Sequence, residues 1–165
     1  MKTIIPTFAF VFFLYAMGYS TAQAEWVVGP EKVYENPTVD DFVYRINYLG
    51  FSDHHSDSDT TNEEHHGFGM SVTLPNNATY GFMRYKNSYG DMSTLLSIST
   101  EFLHYDDWHF GVGGGYVSGY GDNLDSPLLG WGTIRYKWIT VNTVPSEVTA
   151  IGLSIPLEDI KDLFR

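Results

Sequence analysis

Apolar and polar residues alternate with a period of two along most of this chain. Phe42, Tyr44, Ile46 and Tyr48 are set against Val43, Arg45 and Asn47. Phe68, Met70, Val72 and Leu74 alternate with Gly67, Gly69, Ser71 and Thr73, and Leu96, Ile98 and Phe102 oppose Ser93, Ser97, Ser99 and Glu101. Successive side chains of a strand point to opposite faces, so the pattern predicts strands with one aromatic and aliphatic face and one small or polar face. The predicted strands cover 39–52, 66–74, 78–87, 92–103, 108–120, 128–136, 138–144 and 147–157. Turn-forming residues such as Pro75-Asn76-Asn77, Asp106-Asp107 and Pro145-Ser146 separate them. No segment reads as a convincing amphipathic helix.

One strand carries the pattern furthest. Gly111, Gly113, Gly115 and Gly119 leave one face nearly bare, while Trp108, Phe110, Val112, Tyr116 and Tyr120 supply aromatic and apolar bulk. A soluble barrel or sandwich would turn the apolar face inward, and an outer-membrane barrel would turn it outward to lipid. The apolar face is too bulky for the inside of an eight-stranded barrel, which is only just wide enough for side chains. Tyrosine and tryptophan recur near strand ends, as interfacial girdles do. The expected fold is therefore all-β, an eight-stranded antiparallel up-and-down outer-membrane β-barrel over residues 38–157. With both termini on the periplasmic side, 53–65, 87–91, 121–127 and the turn near 145 become extracellular, and 75–77, 104–107 and 137 become short inner turns.

The chain's start supports export. Met1 to Ala24 holds Lys2, an apolar run from Ile4 to Met17 and the small-x-small site Ala22-Gln23-Ala24, which reads as a secretory signal peptide. Residues 25–37 then form an N-terminal periplasmic segment and 158–165 a C-terminal tail. Cysteine is absent, so no disulfide framework contributes to stability. Nine basic residues against twenty acidic ones, a formal net charge of −11, argue against nucleic acid as a partner.

Two polar constellations carry candidate chemistry. The stretch from Asp53 to His66 contains His54, His55, His65 and His66, four of the six histidines, among carboxylates. Its spacing matches no zinc signature, and a calcium-loop reading fails because Asn62 stands where the turn glycine belongs. A solvated loop with no metal is expected there. The other constellation is Tyr85-Lys86-Asn87-Ser88-Tyr89-Gly90, at the outer end of the third strand. Ser88 would share the outer rim with His54 and His55, and a serine hydroxyl becomes a nucleophile when a nearby base accepts its proton. Asn-Ser is also a common turn dipeptide.

Order and spacing from Asn62 to Pro145 resemble the outer-membrane lipid A palmitoyltransferase family and a broader set of bacterial and phage barrels with an Asn-Ser-Tyr-Gly element. The likeness rests on Asn62-Glu63, Gly67-Phe68-Gly69-Met70-Ser71, Tyr80-Gly81, Tyr85-Lys86-Asn87-Ser88-Tyr89, Asp107-Trp108-His109-Phe110-Gly111-Val112-Gly113 and Ser126-Pro127-Leu128-Leu129. The resemblance implies transfer of an acyl chain from phospholipid to lipid A of lipopolysaccharide by a monomer in the outer membrane, with no cofactor. It implies Ser88 as nucleophile or hydroxyl partner, His54 or His55 as base, and Asn87 as an orienting group where the family has aspartate. It makes Gly111, Gly113 and Gly115 the wall of an acyl-chain cavity. The same glycines are also what a narrow barrel needs to close. Two other functions fit the composition: a non-catalytic surface barrel, and a soluble exported carrier of an apolar ligand.

Overall fold

The computed structural model describes residues 26–29, 37–55, 64–121, 126–145 and 147–163. Residues 1–25, where a signal peptide is expected, and 30–36, 56–63, 122–125, 146 and 164–165 lie outside them. A two-residue strand β1 (Val27–Val28) precedes a 3-10 turn at Val39–Asp41. Eight long strands follow: β2 (Val43–His54), β3 (Glu64–Thr73), β4 (Ala78–Lys86), β5 (Met92–Tyr105), β6 (Trp108–Ser118), β7 (Leu128–Tyr136), β8 (Ile139–Val144) and β9 (Val148–Pro156). A helix α1 (Leu157–Leu163) ends the described chain.

Each of the eight long strands pairs antiparallel with its sequence neighbour, and β2 pairs with β9, which closes the sheet into a barrel. Closure leaves no long unpaired edge. One stretch of edge remains, because β5 outlasts β4, whose pairing ends at Ala78↔Thr100. There β1 adds itself at Val27↔His104 and Val28↔Leu103, and Trp26 packs on Tyr105 with ring centroids 4.9 Å apart. The two ends differ. The lower rim holds the short turns after β3, β5 and β7 together with β1 and α1. The upper rim holds the ends of β2, β4, β6 and β8 and the turn at 87–91.

The large apolar side chains face outward. Phe68 is 65% exposed and Leu128 69%, and Ile46, Met70, Phe82, Leu96, Ile98, Val112 and Ile151 continue the band around the barrel. Aromatic residues concentrate towards its edges, where Trp108 and Tyr136 stack at 4.7 Å on the lower side and Tyr48 and Phe68 at 5.0 Å higher up. The inside is small or polar over much of its height. Among the described residues every buried side-chain nitrogen and oxygen has a hydrogen-bond partner. In the lower half, Arg135 donates to both oxygens of Glu101 at 2.7 and 2.6 Å, and Asn77 donates from its side-chain amide to the Glu101 carbonyl.

Two bulges change the side-chain parity. Register shifts between Leu49 and Phe51 in β2 and between Glu101 and Leu103 in β5. An extra residue in one strand moves everything beyond it to the opposite face. Odd residues of β2 therefore point inward up to Leu49, and even residues, Ser52 and His54, do so after Gly50. In the same way His104 turns inward beyond Glu101.

The lower turns between β5 and β6 and between β7 and β8 have two residues, and their first positions, Asp106 and Lys137, have φ of 53° and 52°. Such positions favour glycine, asparagine or aspartate, and lysine pays a steric cost there. Lys137 also lies 3.4 Å from Asp107, an exposed pair of little energetic weight. Lys137→Asn should raise stability by about 1 kcal/mol, read as a higher urea midpoint of the detergent-folded barrel. A lower midpoint would mean the Asp107 contact outweighs the turn strain.

The chain's end differs from the sequence expectation. Pro156 ends β9, and Leu157–Leu163 forms a helix with Glu158 and Asp159 in its first turn, where acidic groups complement the helix dipole. Asp159 also accepts a 2.7 Å hydrogen bond from Trp138 Nε1. Seven residues are too few for periodicity to reveal a helix.

Candidate functional site at the upper rim

The turn at 87–91 is built around Asn87, which is fully buried. Its side-chain oxygen accepts from the backbone N–H groups of Tyr89 and Asp91 at 3.0 and 2.9 Å, which shapes the turn and fixes Ser88. Its amide donates to Ser93 Oγ at 3.0 Å and to the carbonyl of Gly119 at 2.9 Å. Gly119 can present that carbonyl because its φ is +93°. All four hydrogen-bonding places of the amide are thus taken by the turn, β5 and the end of β6. Asn87 orders the turn that carries Ser88, and no donor or acceptor is left over for a histidine.

Ser88 Oγ lies 2.6 Å from His54 Nε2. The β2 bulge is what brings His54 to the inner face. His55, one residue on, points away and meets Thr149 at 3.0 Å on the other side of the sheet. Of the two histidines that the sequence left open, His54 is the one paired with Ser88.

Sequence reasoning missed two further members of this cluster. His65 and Ser52 are both buried, with His65 Nε2 2.5 Å from Ser52 Oγ and His65 Nδ1 2.6 Å from the Lys86 carbonyl. The signal available was Gly50, which marks where the alternation of β2 breaks. The four histidines of the 53–66 stretch therefore split by face. His54 and His65 turn inward with ring centroids 6.4 Å apart, while His55 and His66 turn outward, His66 to Tyr48 at 3.1 Å. Behind the cluster Tyr85 and Tyr120 share a hydrogen bond of 3.1 Å, and burial pushes the Tyr120 phenol up, so it stays protonated.

Below the rim the barrel encloses a cavity of about 340 Å³. Ser52, His54, His65 and Ser88 line its mouth; Leu49, Met83, Leu95, Leu129 and Trp131 give it an apolar stretch of wall; lower down the lining turns polar, with Glu101 and Arg135, and it continues to Asp41, Leu74 and Asn77. Gly111, Gly113 and Gly115 stand in the barrel wall but do not form the surface of this space. A Cβ on Gly113 would lie 2.6 Å from Trp131 Cε2 and Nε1, so the indole occupies the room that glycine leaves; one on Gly115 would run first into the Leu96 carbonyl and into Leu95 Cδ1 at 2.9 Å, with Trp131 Cη2 next at 3.2 Å. At Gly111 a Cβ would run into the Thr100 carbonyl, so there the glycine permits close approach of β5.

A second polar cluster lies at the lower rim. Glu101, His104 and His109 bring three possible ligand atoms within 4.8 Å of one another. Its groups are already mutually engaged: Arg135 holds Glu101, His104 Nδ1 and His109 Nδ1 are 2.7 Å apart, and His104 Nε2 reaches the Gly29 carbonyl at 2.8 Å. The cluster ties β1 to the barrel.

The arrangement around Asn87 makes a stability prediction. Asn87→Asp would remove two donors and set a carboxylate against the Gly119 carbonyl, at an expected cost of about 1–3 kcal/mol. The urea midpoint of the variant measures this, and an unchanged midpoint would show that the amide donors contribute nothing. A scan of protein-family models finds no match to this chain, and a search of curated proteins finds no relative.

Proposed function

We propose that this protein is an outer-membrane barrel that transfers an acyl chain from phospholipid to lipid A. The observation that carries the reading is the 2.6 Å contact of Ser88 Oγ with His54 Nε2 at the mouth of a cavity with an apolar wall. A serine hydroxyl beside a histidine nitrogen is the minimum for acyl transfer, and a single hydrocarbon chain suits a narrow apolar sleeve. The outward apolar band supports a lipid surround, since a contiguous exposed band of this extent needs a covering. Arg84 and Lys86 are exposed beside the upper rim, where they can pair with lipid A phosphates.

In this reading His54 takes the hydroxyl proton as the carbonyl is attacked and returns it to the leaving alkoxide. Asn87 holds Ser88 in register. The apolar wall takes the acyl chain, with the ester at the mouth.

The test uses the mature chain folded in detergent, with phospholipid labelled in one acyl chain and lipid A as acceptor. The label should move to lipid A and should fail to do so with Ser88→Ala. Separately, the expressed protein should fractionate with the outer membrane and change gel mobility on heating. A folded, membrane-resident barrel that moves no label would favour the non-catalytic surface protein, and recovery in the soluble fraction would favour the carrier.

A further inference from the structure

Ser88 and His54 are not the only serine and histidine joined at the cavity mouth. Ser52 and His65, each 3% exposed, meet at 2.5 Å on the same wall. For a neutral imidazole the surroundings fix the tautomer of this second pair. The Lys86 carbonyl can only accept, so His65 Nδ1 donates to it at 2.6 Å and carries the ring hydrogen of the neutral imidazole. His65 Nε2 then has the lone pair, and the Ser52 O–H donates to it. Nucleophile, base and a third group that orients the base stand in line, with a backbone carbonyl as the third group. The pair faces the cavity beside its apolar residues Leu49 and Met83, and Ser52 Oγ is 3.5 Å from His54 Nε2, which sets the two serine–histidine pairs side by side.

We propose that Ser52 is the nucleophile that carries the acyl group, with His65 as its base, and that Ser88–His54 serves the acceptor half of the reaction. The inference rests on the acyl-transfer reading, adds a covalent intermediate to it, and moves the attack on the phospholipid ester from Ser88 to Ser52, leaving His54 to act on the acceptor hydroxyl. In the first half Ser52 Oγ bonds to the acyl carbonyl carbon as its proton passes to His65 Nε2. The ester bond to glycerol breaks, and His65 returns the proton to the departing alkoxide, giving a lysophospholipid. In the second half an acceptor hydroxyl bonds to the same carbon, its proton passes through the adjoining histidines, the bond to Ser52 breaks and Ser52 is reprotonated. The bulge at Gly50 makes this possible, because without it Ser52 would face lipid.

The experiment treats the detergent-folded mature chain with a hexadecyl fluorophosphonate, which phosphonylates an activated serine with loss of fluoride, and locates the adduct by peptide mass spectrometry. The adduct is expected on Ser52, retained in Ser88→Ala, and reduced at least tenfold in His65→Gln, each variant being checked for folding by heat-dependent mobility. Ser52→Ala should abolish labelling and lower acyl transfer about a hundredfold or more. A purely structural Ser52–His65 hydrogen bond would leave Ser52 unlabelled. An adduct on Ser88, or acyl transfer to lipid A without any adduct, overturns the Ser52 intermediate and leaves the acyl-transfer reading standing. An adduct on Ser52 without lipid A acylation supports the nucleophile and overturns the acceptor. Neither adduct nor transfer, in a folded barrel, overturns both.

Discussion

His54→Gln is expected to lower acyl transfer by about 10²–10⁴-fold, the usual contribution of a positioned general base. Glutamine keeps a polar side chain of similar reach but cannot accept and return a proton. The pair sits at a strand end on the rim, where His54 is only half-buried, so the barrel should fold normally and the loss should appear in turnover rather than in yield. His55→Gln is the matching control. Its ring lies on the outer face against Thr149 and should leave the rate within a factor of about two of the parent. Initial rates of label transfer from phospholipid to lipid A measure both. Equal losses in the two variants, or none in either, would contradict the assignment of His54.

Arg135→Ala is expected to destabilise the barrel by about 3–5 kcal/mol, the cost of leaving one partner of a buried ion pair uncompensated. Arg135 meets Glu101 through two short hydrogen bonds and also donates to the Lys137 carbonyl at 3.1 Å. With the guanidinium gone, the Glu101 carboxylate would keep His109 at 3.4 Å and the more distant charge of Arg45 as neighbours, without the paired hydrogen bonds that Arg135 supplies. The double variant Glu101→Gln, Arg135→Met removes both charges and should be less damaging than Arg135→Ala alone, because a neutral pair needs no counter-charge. Urea midpoints of the three proteins in detergent decide this. A double variant that loses as much as Arg135→Ala, or more, would mean that the residues act through packing and not through the pair.

The strands and their order were legible because the period of two is strict and turn residues fall between the runs. All eight predicted strands correspond to β2 through β9, with ends displaced by at most a few residues. Two features broke that legibility. A bulge reverses parity without altering composition, so the simple alternation that puts Tyr44, Ile46 and Tyr48 outward would also put Ser52 and His54 outward. Only Gly50 hints otherwise. The glycine column was visible, but what enters its space was not: Trp131 lies sixteen or more residues away in sequence, and its meeting with Gly113 and Gly115 depends on the β6–β7 register. Asn87 and Ser88 were legible as neighbours at the outer end of the third strand. Their division of labour was not, since Asn87 bonds to Gly119, a residue distant in sequence that the β4–β5 and β5–β6 pairings bring near.

β1 and α1 had no periodicity to read. Two residues define no alternation, and β1 exists because β5 outruns β4 and leaves an edge to cover. The Glu101, His104 and His109 cluster was hidden for the same reason as Ser52, a bulge that turns His104 inward.

The most direct measurement is the mass of lipid A from cells whose outer membrane lacks its own palmitoyltransferase and carries this chain, beside cells carrying Ser88→Ala. An added acyl mass with the parent chain, absent with the variant, is the predicted result. Unmodified lipid A in both, with the barrel folded in the outer membrane, would contradict the acyl-transfer account.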